Sequence, residues 1–318
     1  MTMAVVPAVT DPGSLVRVGA RAEPAQPEVA VAAGFSARPV PLGLDRPLHL
    51  LGGNALKRLG PDLGLPAEWF PSLVRAVADE GRRRLESGER WFGLPPTLLV
   101  GDPGTGRGHA ARRVAEAAGV PLVPMDLSEP DSVLQLRGER RGPELVLPSL
   151  PVLAMATTRC ANPLVLVTGI DRASPHVQAL LARMLAAGEA ARWREDALGA
   201  VVDLGHVTWL VSVEQPGTLD PTLRACLQRV HLPPPGPVGL RFRALEILIE
   251  VVGDLGLSDP AADPAVAELL VDFAEGRSDM PAAQLRARIL ETLVRPLSTT
   301  PPGADGSLYH RLHRRTGG

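Results

Sequence analysis

Residues 97–126 constrain this chain more than any other stretch. The apolar run Thr97-Leu98-Leu99-Val100 leads straight into Gly101-Asp102-Pro103-Gly104-Thr105-Gly106-Arg107-Gly108. An Ala- and Arg-rich stretch, 109–118, reads as a helix and stops at Gly119, suited to the left-handed turn that ends a helix. Pro121-Leu122-Val123-Pro124-Met125 is a second short strand, ending at Asp126. Strand, glycine loop, helix and strand make one βαβ unit. Parallel strands of this kind read as unbroken apolar runs because both faces of their sheet are covered.

The rest of the chain extends that unit. Residues 164–167 and 207–213 are further buried-type strands, with a helix over 176–187 before the second. Upstream, Phe70, Leu73, Val74, Val77 and Leu85 recur at helical spacing, with Arg82, Arg83 and Arg84 on the wet side and Gly88 as a stop. After Pro233-Pro234-Pro235 the strands cease, and 240–252, 264–274 and 282–294 read as amphipathic helices. The expected class is therefore α/β: a parallel sheet with helices on both faces, then a small all-helical domain. Order is expected to begin near Pro66. Residues 1–62, rich in Pro, Ala, Gly and Val without a period, are expected to form a disordered arm with a docking turn near 48–51. The α/β domain takes 63–235, the helical lid 236–296, and a flexible tail 297–318. The tail ends in His310-Arg311-Leu312-His313-Arg314-Arg315 and reads as a solvated end.

Composition closes several doors. Lys57 is the only lysine, so 32 of the 33 basic residues are arginine. A Ser-Lys dyad, a Schiff-base lysine and a phosphate-loop lysine after residue 57 are excluded. A net charge of −2 gives no general nucleic-acid footprint. Cys160 and Cys226 lie far apart, so neither a zinc site nor a disulfide framework is expected, and both read as small buried fillers. No apolar run reaches 18 residues, and no basic flank precedes a long apolar stretch, so no membrane span or signal peptide is expected and the location reads as cytoplasmic. Aromatics are only 3% of the chain, which leaves the core to Leu, Val and Ala, with Trp193 and Trp209 as packing residues.

The glycine loop is the candidate site. A loop at the carboxyl end of a buried strand, opening a helix, lets backbone N–H groups and the helix N-terminus converge on phosphate. The phosphate-loop pattern is GxxxxGK[ST]. Gly101 and Gly106 fill its glycine slots, Arg107 its lysine slot and Gly108 its Ser/Thr slot. Arginine keeps the charge but brings a wide planar fork in place of a compact ammonium. Gly108 offers no hydroxyl to Mg²⁺. Alone, the loop reads either as a backbone phosphate cradle or as a tight turn with no ligand. The candidate binding residues are Gly101, Asp102, Pro103, Gly104, Thr105, Gly106, Arg107, Gly108 and His109. His109 reads as an exposed first-turn residue. No catalytic and no metal-ligating residue is assigned.

From Trp69 to Val294 the chain resembles an AAA+ ATPase module of the P-loop NTPase class, and within it the Lon-type ATPase domain. The resemblance rests on Arg137-Gly138-Glu139-Arg140-Arg141-Gly142, on Asn162-Pro163-Leu164 leading through Val165-Leu166-Val167-Thr168-Gly169-Ile170 to Asp171-Arg172, on Ala179-Leu180-Leu181-Ala182-Arg183-Met184-Leu185, and on Leu219-Asp220-Pro221-Thr222-Leu223. It implies ATP or ADP as ligand, a helical lid, and assembly into a ring with copies of itself or with an active paralogue. It also exposes departures. Thr168 and Gly169 stand where the family carries the Mg²⁺-holding Asp and the water-polarising Glu. The sensor-1 asparagine falls near Glu214 or Gln215. The arginine-finger slot falls near Cys226, flanked by Arg224 and Arg229, and the sensor-2 slot near Ala283. Gly142 and Pro143 follow Arg141 where the family carries an aromatic pore residue.

The expectation is thus a degenerate ATPase-like protein that can bind ATP or ADP, with little use for Mg²⁺ and weak or absent hydrolysis. It would act as a scaffold or regulatory subunit. The competing expectation is an active remodeller that tolerates Arg107 and recruits Mg²⁺ through Asp126, Asp171 or Glu214. A complete protease is not expected, since no peptidase domain follows Val294 and the dyad lysine is missing.

Overall fold

Every apolar run read as a strand becomes a strand of one sheet. The computed structural model describes residues 26–35, 41–59, 70–141, 145–234, 236–257, 263–276, 280 and 282–294. Its elements begin with β1 (Glu28–Val29), β2 (Ala32–Ala33), β3 (Leu48–His49), α1 (Pro71–Glu86), β4 (Thr97–Val100), α2 (Arg107–Ala118) and β5 (Leu122–Asp126). Then come α3 (Val133–Arg137), β6 (Glu139–Arg141), β7 (Leu145–Leu147), α4 (Leu150–Thr158), β8 (Leu164–Thr168), α5 (Pro175–Leu185) and α6 (Ala187–Ala190). The first of two units closes with β9 (Trp193–Glu195), β10 (Ala200–Val202), β11 (Thr208–Val213), α7 (Pro221–Ala225) and β12 (Gln228–His231). The second unit starts at Pro235 and holds α8 (Pro237–Leu255), α9 (Pro264–Ala274) and α10 (Ala282–Val294).

The central sheet is parallel throughout, in the order β12-β4-β11-β8-β5. Because side chains alternate along a strand, β4, β5, β8 and β11 each feed two cores, while the edge strand β12 gives only Val230 to one. Leu98, Val100, Val165, Val167, Trp209, Val211 and Val213 face α4 and α5. Leu99, Leu164, Leu166, Leu210 and Val230 face α1 and α2. This is the expected α/β class, with a parallel sheet flanked by helices on both faces, and it is consistent with a P-loop NTPase-like fold. The second unit has its own core, built from Ala244, Leu248 and Val251 of α8, Val266, Leu269 and Phe273 of α9, and Leu285 and Ile289 of α10.

Three readings need correction. The arm is not featureless where it is described. β1 pairs with β3, and β2 adds to the edge of β10, which pairs with β9. Val31, Leu44, Leu48 and Leu50 enter one core of the sheet, and Leu56 and Leu59 enter the other. These strands are two residues long and their partners are distant, so no local period announced them. Second, β12 forms the sheet edge, although Gln228-Arg229-Val230-His231 is too polar to read as a buried strand. Third, Cys226 is only partly buried, whereas Cys160 is fully buried and its thiol is pushed up to about 12 by that burial. Residues 1–25, the positions around Pro66, and the tail from 295 lie outside the described residues. Among the described residues, no helix is long and apolar enough to cross a membrane.

Candidate functional site

Parallel strands place all their carboxyl ends on one side of the sheet, where open α/β sheets hold ligands. Gly101 follows β4 there and donates its N–H to Val213 of β11 at 3.3 Å. Asp126 ends β5 opposite Thr168 of β8, and Glu214 follows β11 directly. The sequence-predicted loop, the Thr168-Gly169 pair and Glu214 therefore share this end of the sheet.

The loop is a compact backbone turn. Gly104 and Gly106 have φ of +83° and +86°, a region in which side chains are strained, so the glycines are required by the turn. Gly106 is the N-cap of α2 and has no side chain to cap the first turn. Thr105 is buried, and its N–H and hydroxyl both donate to the Asp102 carbonyl, at 3.2 and 2.9 Å. Gly108 is open: a Cβ there would meet nothing within 4 Å among the described residues. His109 is half-buried rather than exposed.

Arg107 does not point freely outward. One guanidinium nitrogen, Nη1, donates to the Gly101 carbonyl at 2.7 Å, and Nη2 lies 3.6 Å from Glu214 Oε1. The arginine is thus folded back over its own loop and charge-paired with the residue at the end of β11. Its side chain keeps only 17% of its exposure, while that of Glu214 keeps 51%.

Across the site, the Gly169 position is closed to any carboxylate. Gly169 has φ +71°, and a Cβ built on it would lie 2.6 Å from Asp126 Oδ1 and 2.7 Å from both Cβ and N of Ser128. The approach is fixed by the β5 end, where Asp126 Oδ1 accepts the Ser128 N–H at 2.9 Å and Leu127 N–H donates to the Thr168 carbonyl at 2.9 Å. The Thr168 hydroxyl leans on the Met125 carbonyl at 3.5 Å. Asp126, Asp171 and Glu214 are not brought together: no cluster of three or more His, Cys, Asp or Glu suited to a metal occurs among the described residues.

The donor set therefore fits one group and not the other. A phosphate meets glycine turns and the backbone of the loop, with the Arg107 guanidinium held on the Gly101 carbonyl beside Glu214. Mg²⁺ meets a hydroxyl-free Gly108, a Thr168 already engaged, and a glycine with no room for a side chain.

Sequence reasoning missed two buried polar centres. Asn162 is fully buried; its Oδ1 accepts Leu51 N–H at 2.8 Å, and its Nδ2 donates to the Leu51 and Phe92 carbonyls at 3.0 and 2.7 Å. It ties the N-terminal segment to the start of β8. Glu195 is fully buried in β9 and accepts from Ser149 N and Oγ at 3.1 and 2.6 Å, which anchors the N-terminus of α4. Burial pushes its carboxyl up, and the Ser149 bonds oppose that only in part. Nothing in the local pattern Trp-Arg-Glu marks that glutamate as buried. Elsewhere, Asp220 caps α7 by accepting Thr222 N–H at 2.8 Å, which holds its carboxyl below the usual range. Arg224 and Arg229, the flanking finger candidates, are both exposed.

No family model matches the chain. Over 143 residues it is 27% identical to the Lon protease of Syntrophus aciditrophicus (strain SB), covering 44% of this chain and 18% of that protein. Over 140 residues it is 30% identical to Lon protease 4 of Sorangium cellulosum (strain So ce56), covering 42% and 17%. Over 79 residues it is 37% identical to the Lon protease of Mesomycoplasma hyopneumoniae (strain 232), covering 25% and 9%. The matched part is less than a fifth of the length of each of these relatives. Over part of its length the chain is thus similar in sequence to Lon proteases.

Proposed function

We propose that this chain is a degenerate AAA+ ATPase-like protein that binds ADP or ATP through the 101–109 loop, hydrolyses it weakly or not at all, and serves as a scaffold or regulatory subunit of an AAA+ assembly. The observation that carries this reading is the Gly169 backbone, whose packing against Asp126 and Ser128 excludes a water-polarising side chain from the end of β8. Phosphoryl transfer is positioning and charge stabilisation, and a single arginine finger is worth ~10³–10⁵ in rate. Here the lysine, the Mg²⁺ hydroxyl, the Mg²⁺ carboxylate and the water-polarising group have all changed. The cores on both sides of the sheet remain filled, so the scaffold is kept where the chemistry is not.

Binding is assigned to the backbone of residues 101–108, with the phosphate at the first turn of α2. The test pairs two measurements on the full chain. Thermal shift with ADP or ATP in EDTA is expected to raise the melting temperature, because a ligand that binds only the folded state stabilises it. Steady-state ATPase assays with Mg²⁺ are expected to show turnover below about one per second, the low end of ordinary enzymes. Several turnovers per second would overturn this reading in favour of the active remodeller. Assembly with itself or with an active paralogue is tested by light scattering of the chain alone and mixed with such a paralogue.

A further inference from the structure

The Arg107–Glu214 pair bears on which phosphate chain the loop accepts, and the argument rests on the nucleotide-binding reading above. In loops of this pattern backbone N–H groups cradle the α- and β-phosphates, while the cation after the last glycine reaches the β- and γ-phosphates. Here that cation is committed elsewhere. Its Nη1 is bonded to the Gly101 carbonyl at 2.7 Å, and its Nη2 faces Glu214 Oε1 at 3.6 Å. A third phosphate would find its arginine turned away and a carboxylate beside it. The first two phosphates need only the backbone.

We propose that Glu214, by pairing with Arg107 at the mouth of the loop, makes this a nucleoside diphosphate site that discriminates against the triphosphate. Glu214 acts on the ligand as a fixed negative charge, and on Arg107 as a competitor for its guanidinium. The pair is half exposed on the Glu214 side, so it contributes little to stability and can be altered without disturbing the core. The discrimination is electrostatic and therefore weakens as salt screens it.

The experiment is isothermal titration calorimetry of the full chain with ADP and with ATP, in EDTA, at low and high NaCl. Glu214→Gln and Glu214→Ala are run beside the wild type, with melting temperatures confirming that all are folded. Wild type is expected to bind ADP about tenfold more tightly than ATP, the preference shrinking at high salt. Both variants are expected to tighten ATP about tenfold and ADP less than about threefold. Equal affinities in the wild type, or variants that move ADP and ATP together, overturn the role of Glu214 and leave nucleotide binding standing. Absence of binding by either nucleotide to all three proteins overturns the nucleotide reading, and this inference with it.

Discussion

Single residues decide more here than their number suggests. Asn162 satisfies three backbone groups from two distant segments, so Asn162→Ala leaves buried donors and acceptors unpaired. The expected loss is about 3 kcal/mol or more, read by urea denaturation. Thr208 is the opposite case. It is fully buried at the start of β11, and its hydroxyl has no hydrogen-bond partner among the described residues. Thr208→Val keeps the shape and removes the buried hydroxyl, and is expected to stabilise by about 1 kcal/mol in the same assay. Glu195 gives a pH signature. Burial holds its carboxyl above the ordinary 4.5, so the folded state binds the proton more tightly than the unfolded state. That contribution is complete below the ordinary value and drains away as pH rises through the raised one. Glu195→Gln cannot ionise, so its stability relative to wild type is expected to improve as pH climbs from about 4.5 to about 7.5. A constant difference across that range would mean that the glutamate does not titrate in it.

At the scale of elements, Gly108 and Gly169 behave differently, and only their surroundings say why. Gly108 sits in the first turn of α2 with open space around it. Gly108→Ser is expected to fold normally, because serine has the better helix propensity, by a few tenths of a kcal/mol, roughly. Gly169 sits at the turn leaving β8 in the left-handed region, with Asp126 and Ser128 against its Cα. Placing a carboxylate there by Gly169→Glu is expected to cost about 2 kcal/mol or more from the strained backbone and overpacking, and to give no hydrolysis. Thermal melting and an ATPase assay of this variant check both halves. A stable Gly169→Glu protein that hydrolyses ATP would show that the end of β8 can adapt. The βαβ unit was legible because its period, glycine loop and stop residue are all local. The closed packing at Gly169 was not, because it depends on how the end of β5 meets the end of β8.

At the scale of the whole molecule, the first sixty residues carry the largest surprise. Val31, Leu44, Leu48, Leu50, Leu56 and Leu59 are all buried, on both sides of the sheet. At ~1.5–3 kcal/mol per buried aliphatic side chain, their loss would match or exceed the stability of an ordinary domain. Removal of residues 1–59 is therefore expected to abolish cooperative unfolding rather than to release a trimmed α/β domain, as circular dichroism melting would show. Arg159 belongs to the same latch. It ends α4 at φ +55°, uncommon for a side chain, and its guanidinium donates to the Gly43 and Pro47 carbonyls at 2.9 and 3.0 Å. The sequence by itself determined the α/β class, the phosphate-loop pattern and the helical character of the second unit, because apolar period and glycine placement act within a few residues. It also determined that no lysine stands in the loop. Only the tertiary structure decided that Arg107 is spent on Gly101 and Glu214, that Gly169 has no room for a carboxylate, and that residues within 31–59 enter the core. Apart from the Arg107–Gly101 bond, those outcomes depend on contacts between residues tens to more than a hundred positions apart, and no local pattern carries them.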